Sequence, residues 1–159
     1  MSKQTLLTMK QQKEWLNNNW RNSTLCHKWS SRGYGNSKIL NNFNEVIGKA
    51  SGCGYDRFGA ALGNAISELF PAEVLKLARR ECKGHRRNYK GSKNFYGLFY
   101  DAEKGRAWLD GACGDYCMRR ILNKIGFSLE YVGESERSNN GEVFYKLRSV
   151  SKNEREYLP

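Results

Sequence analysis

Proline and histidine are scarce: two of each occur in 159 residues. So little proline excludes a Pro-rich linker protein, and two histidines, His27 and His85, leave little choice of general base. No apolar run approaches the roughly 18 residues of a membrane span. The opening Met1-Ser2-Lys3-Gln4-Thr5 leads into a polar stretch without an apolar h-region, so no secretory signal is expected. Acidic residues are also short, 16 against 27 Lys and Arg, which leaves a net charge of +11. The cysteines, Cys26, Cys53, Cys82, Cys113 and Cys117, are odd in number. A chain of this size folds without disulfide staples, so reduced thiols in a cytosolic setting are expected.

What is present suffices for one domain with a core: hydrophobic residues are 39% and aromatic residues 13% of the chain. The positive charge is clustered. Residues 1–49 carry a net +6 and residues 76–93 a net +7, while residues 50–75 are at −2 and the remainder balances. Clustering of this kind makes a local positive potential suited to phosphate backbones or an acidic protein face.

The periodicities predict an α+β fold of about five mostly antiparallel strands with two or three helices on one face. Residues 1–37 read as a basic, Asn-rich arm bearing Trp15, Trp20 and Trp29, with a short helix from Thr8 and a flexible loop over 30–37. The core is placed at 38–150 and a charged tail at 151–159. Val46-Ile47 suggests a strand entering the turn Ser51-Gly52-Cys53-Gly54. Phe58, Ala61, Leu62, Ala65, Ile66 and Leu69 then mark a helix with Asp56 as its expected N-cap. Gly59 and Gly63, one turn apart, predict close approach of another backbone. Pro71 starts a second helix that buries Val74, Leu75 and Ala78 and stops at Gly84. Residues 95–100 and 106–109 read as a hairpin. A helix from about Gly114 to Lys124 turns Met118, Ile121, Leu122 and Ile125 inward and stops at Gly126. Alternation at Phe127, Leu129, Tyr131 and at Val143, Tyr145, Leu147 predicts a last hairpin across a turn-rich stretch at 134–141.

Two segments echo each other, Ser51-Gly52-Cys53-Gly54-Tyr55-Asp56 and Gly111-Ala112-Cys113-Gly114-Asp115-Tyr116, each a cysteine among glycines before a helix. A thiol at a helix N-terminus is acidified by the macrodipole, and the Trp108-Leu109-Asp110 context of Cys113 is similar to the nucleophile segment of NlpC/P60-type cysteine hydrolases. Those carry their histidine downstream of the nucleophile, and here none follows His85. Gly52, Cys53, Gly54, Asp56, Gly111, Cys113 and Gly114 are therefore read first as structural turns, and a cysteine enzyme as the alternative. Cys82, His85, Cys113 and Cys117 have tolerable zinc spacing, but the first pair sits in a basic stretch and the second falls on a helix face. Asp56, Asp110 and Asp115 would suit a two-carboxylate metal nuclease if the turns met, though two of them read more simply as helix caps. Gly52-x-Gly54 with the next glycine at 59 matches neither dinucleotide nor Walker fingerprints. No cofactor or metal is expected.

The strongest functional pattern is basic and aromatic. Arg79, Arg80, Lys83, Arg86, Arg87, Tyr89, Lys90 and Lys93 form one candidate surface, and Trp15, Trp20 and Arg21 of the arm a second. Lysine and arginine neutralise phosphates, while tyrosine and tryptophan offer faces to unpaired bases. The runs Gly52-Cys53-Gly54-Tyr55-Asp56-Arg57 with Gly59-Ala60-Ala61-Leu62-Gly63, and Leu109-Asp110-Gly111-Ala112-Cys113-Gly114, together resemble a group of small bacteriophage and prophage accessory proteins, over roughly residues 43–133. That resemblance implies work in the cytoplasm of an infected bacterium and a counter-defence role of the anti-CRISPR kind. The expected partner is nucleic acid or a bacterial nucleoprotein effector, with no membrane.

Overall fold

The computed structural model describes residues 10, 24–82, 90–92, 94–111, 114–137 and 139–150. The chain is α+β. Five antiparallel strands form the main sheet: β1 (Leu25–Ser30), β2 (Tyr34–Asn41), β3 (Val46–Cys53), β7 (Phe127–Arg137) and β8 (Asn140–Ser149), in the order β3-β2-β1-β8-β7. A smaller antiparallel sheet holds β4 (Lys90–Gly91), β5 (Leu98–Asp101) and β6 (Arg106–Leu109). The helices are α1 (Gly54–Leu69), α2 (Pro71–Glu81) and α3 (Asp115–Ile125). None of the described helices is long and apolar enough to cross a membrane.

Helix α1 covers the sheet with the face that its period marks: Phe58, Ala61, Leu62, Ala65 and Ile66 are buried, though Leu69 is left exposed at the last turn. Pro71 stands at the first position of α2, where its missing N–H costs nothing. Helix α2 buries Val74, Leu77 and Ala78; Leu77, rather than the expected Leu75, completes the stripe at i, i+3, i+4. Helix α3 buries Met118, Ile121 and Leu122 and ends at Gly126 in the left-handed conformation. All three share one core with Leu25, Ile39, Leu98, Leu129 and Tyr145. A small cluster of Cys26, Leu40 and Phe144 is buried on the sheet's other face.

The spacing of Gly59 and Gly63 has the predicted consequence. A Cβ at Gly59 would overlap the carbonyl oxygens of Gly111 and Gly114, and one at Gly111 would overlap the carbonyl of Gly59. The backbone of α1 and the turn before α3 therefore touch directly, and no side chain fits between them.

Three expectations are corrected. The arm does not end at 37: β1 is the central strand of the main sheet, and β2 runs from Tyr34 through the boundary. The loop expected over 30–37 shrinks to the turn at Ser31–Gly33. The strand signal was concealed because β1 is buried on both faces by mixed chemistry (Leu25 and His27 on one, Cys26 on the other), which breaks the apolar–polar alternation. The turn-rich stretch at 134–141 is likewise mostly strand, since β7 reaches Arg137 and β8 begins at Asn140. Backbone pairing, indifferent to polar side chains, decides there. Residues 1–9, 11–23 and 151–159 lie outside the described residues.

Two outcomes follow for stability. Deletion of residues 1–37 removes β1 and half of β2, so the product should lose its cooperative thermal transition; an unchanged melting temperature would overturn the assignment of β1 to the sheet centre. In urea melts, Gly59→Ala should cost about 3 kcal/mol, because backbone on both sides must move. Gly63→Ala should cost about 1 kcal/mol, since its Cβ meets the flexible Met118 Sδ at 3.0 Å. Equal costs would disprove the direct backbone contact.

Candidate functional site

Helix α2 turns its apolar stripe inward and leaves Lys76, Arg79 and Arg80 exposed. Lys124, in the last turn of α3, comes to the same place from a distant part of the sequence. Glu73, Lys76, Leu77, Arg80, Lys124 and Ile125 line a cleft of about 210 Å³ between the two helices. Arg79 and Arg80 close α2 and Lys124 closes α3, so each cation also favours its own helix dipole. Arg80 Nε donates to Glu81 at 3.2 Å, and Glu81 accepts from Asn94 Nδ2 at 2.8 Å. The Asn94 bond first, and then Arg80, hold the Glu81 carboxyl below its ordinary range, so it remains charged and offsets part of the cluster. Aromatic rings lie close by. Arg120 and Lys124 sit 5.5 and 5.9 Å from the ring centre of Phe95, and Phe99 stacks on Trp108 at 5.9 Å with Arg106 over the indole. Tyr96 is exposed.

Of the predicted binding residues, Arg80 lines this cleft, Arg79 is exposed on the same helix and reaches towards Gly105 of the β5–β6 turn, and Lys90 opens β4. Lys83, Arg86, Arg87, Tyr89 and Lys93 lie outside the described residues, as do Trp15, Trp20 and Arg21. Trp29, counted with the arm, packs instead against Gly141 within the sheet, with Arg32 5.4 Å above its ring.

The first expected glycine–cysteine turn is instead the end of a strand: Ser51, Gly52 and Cys53 pair with Asn36, Gly35 and Tyr34, and Gly54 begins α1 at once. The second is a turn closed by Gly114 N–H donating to the Gly111 carbonyl at 2.9 Å. Gly52, Gly54 and Gly114 have positive φ. Cys53 is the N-cap of α1 and makes no side-chain cap bond. Asp56 is not the cap; it lies in the first turn, where its charge favours the helix dipole. Asp115 likewise is a first-turn residue behind the N-cap Gly114, and its carboxylate takes Arg119 Nε at 2.6 Å. Cys53 is exposed, but His27 is no base for it. The histidine lies on the helix-covered face of β1, opposite Ile39, while Cys53 pairs with Tyr34, five residues further along β2. Five residues of strand span roughly 17 Å. Cys26 is buried, its thiol pushed up to about 12 by burial and then by Glu142; Cys82 is buried and raised for the first of these reasons. Cys113 and His85 lie outside the described residues, and among the described residues no three His, Cys, Asp or Glu gather as a metal site.

Sequence reasoning missed one buried polar cluster. Arg57, 5% exposed, donates Nε to Ser37 Oγ at 3.0 Å, Nη2 to the Ser31 carbonyl at 2.9 Å, and Nη1 to the Ser30 carbonyl at 3.1 Å. It thereby clasps the β1–β2 turn, in which Ser31 has φ of 69°. His27 Nε2 bonds Ser37 Oγ at 2.8 Å, and its ring stacks on Phe58 at 4.1 Å. Ser37 is 1% exposed, which rules out a role as nucleophile. The only available signal was the lone cation of an acidic segment, Arg57 between Ala50 and Leu75.

No known protein family, curated protein or solved structure matches the chain.

Burial first, and then the neighbouring Arg57 and Arg119 guanidiniums, lower the His27 pKa from 6.5 to about 4, against a smaller opposing effect of Asp115. The unfolded chain therefore binds a proton that the folded one refuses, and stability should fall as pH drops from 6.5 towards 4. The contribution is on the order of 3 kcal/mol. His27→Gln should flatten the difference between urea melts at the two ends of this window. A variant with the parent's full pH slope would show that His27 is not the group responsible.

Proposed function

We propose that the protein binds nucleic acid, or a bacterial complex that handles nucleic acid, and acts through it as an accessory or counter-defence factor of the anti-CRISPR kind. The observation that carries this reading is the convergence of Lys76 and Arg80 of α2 with Lys124 of α3 on one cleft, with Glu73 as the acid that lines it. In the sequence, the cations of α2 are followed by Lys83, Arg86, Arg87, Lys90 and Lys93. A net positive local field raises the concentration of polyanions and releases their counterions on contact. A cysteine enzyme, the alternative, has no such convergence behind it.

Pull-down from bacterial lysate with and without nuclease treatment separates a nucleic-acid partner from a protein one. For nucleic acid, the Arg79, Arg80, Arg86 and Arg87 to Ala variant should bind more weakly, with its log–log salt slope reduced by about 3. If it bound as tightly as the parent at every salt concentration, the patch would be only a solvated helix end. Expression in a CRISPR-immune host should restore plaque formation by a targeted phage, and undiminished immunity would remove the counter-defence part of the reading.

A further inference from the structure

The sheet face turned away from the helices carries a second basic surface. Lys28 of β1 stands directly opposite Lys38 of β2, and Lys38 directly opposite Lys49 of β3. Direct cross-strand partners share a face, and this is the face of Cys26 and Leu40, since His27 points the other way onto Phe58. Three lysines thus cross three adjacent strands in one row, over about 10 Å. Like charges placed opposite each other weaken a sheet, so folding alone disfavours the arrangement. Glu142, the next residue in the row, pairs with Lys28 at 3.4 Å and leaves Lys38 and Lys49 uncompensated among the described residues. Both are exposed.

Alongside runs a neutral row. Asn36 and Ser51, partners on β2 and β3, are exposed and joined by a 2.7 Å side-chain bond. Beyond them Tyr34 is 73% exposed at the start of β2. Lysine cations, a strip of small hydrogen-bonding groups and an exposed aromatic ring therefore succeed one another along one face of the sheet.

We infer that the exposed part of this sheet face, from the lysine row to Tyr34, is a docking surface for single-stranded nucleic acid: Lys28, Lys38 and Lys49 take the phosphates, Asn36 and Ser51 offer hydrogen bonds to the sugar or base edges, and Tyr34 stacks an unpaired base. A duplex hides the base faces that Tyr34 would meet, and an acidic protein surface would give the tyrosine no such role. The inference rests on the reading of the protein as a polyanion binder and places that binding on a surface separate from the α2–α3 cleft.

The test uses the full chain, fluorescence anisotropy across a salt series, and three labelled probes of about 20 nucleotides: single-stranded RNA, single-stranded DNA and duplex DNA. The Lys28, Lys38 and Lys49 to Ala variant should bind single strands about tenfold or more weakly, with the log–log salt slope reduced by about 2. Its melting temperature should be unchanged or raised, because like charges are removed. Tyr34→Ala should lose about fivefold or more on single strands, with the slope intact and duplex binding unaffected. Cys53, exposed at the register position of Tyr34, gives an independent readout: saturating single strand should slow its alkylation, followed by peptide mass mapping. The two single-stranded probes separate RNA from DNA as the preferred source of the strand. Parent-like binding by the lysine variant, together with a loss in the Arg79, Arg80, Arg86 and Arg87 variant, would overturn this surface and leave the broader reading standing. A parent that binds none of the three probes would overturn both, and equal losses on duplex and single strand in the Tyr34 variant would exclude stacking.

Discussion

The pairing of β1 with β8 is the contact on which the rest of the molecule depends. It joins Leu25 to Tyr145 and Ser30 to Asn140, so the first described strand and the last close the sheet across more than a hundred residues. Closing so long a loop is costly in chain entropy, although the cost grows only slowly with length. It is offset by two ladders at once, because β1 pairs with β2 on its other side. With β1 in the middle, neither face of the sheet is incidental. One receives α1, and the other collects Cys26, Leu40 and Phe144 in one row and the lysines in the next.

A second constraint acts where β1 turns into β2. Arg57 is a buried cation that pairs with no carboxylate among the described residues. It exchanges water for the carbonyl oxygens of Ser30 and Ser31 and for the Ser37 hydroxyl. Burying a charge is tolerated only when hydrogen bonds replace hydration, and the tight turn presents those carbonyls to the guanidinium. The same guanidinium lies close enough to His27 to help exclude a second proton from the core. One residue of α1 thus fixes a turn, orients a histidine through Ser37 and adds to the burial that keeps it neutral.

The helices were legible in the sequence because each buries one face with period 3.6, and the Gly59–Gly63 spacing carried the backbone approach of the 111–114 turn with it. The hairpin of β5 and β6 was legible for a similar local reason. Strands β1 and β2 were not. In β1 neighbouring residues are buried on opposite faces, and in β2 buried Ser37 alternates with exposed Lys38, so side-chain hydrophobicity contradicts position. The lysine row was equally hidden, because Lys28, Lys38 and Lys49 become neighbours only through a register that no local pattern states. Asp56 shows the opposite error: a residue with strong capping chemistry stands inside the helix, since Gly54 with φ of 49° starts it two residues earlier.

The charge that sequence showed as two segments is rearranged by the fold into two surfaces with different membership. Lys124, counted in the balanced half of the chain, joins the α2 cations at the cleft, whereas Lys28 leaves the supposed arm to line up with Lys38 and Lys49 of the core on the sheet. The cleft lies on the helical side and the lysine row on the opposite face of the sheet. A helix is about 10 Å across, while the Debye length at physiological salt is about 8 Å. The two fields are therefore largely screened from each other and form two separate positive surfaces. A strand engaging both would have to pass around a sheet edge, and β3 is the edge to which the lysine row runs, ending at Lys49, whose carbonyl accepts from Asn64 in the second half of α1.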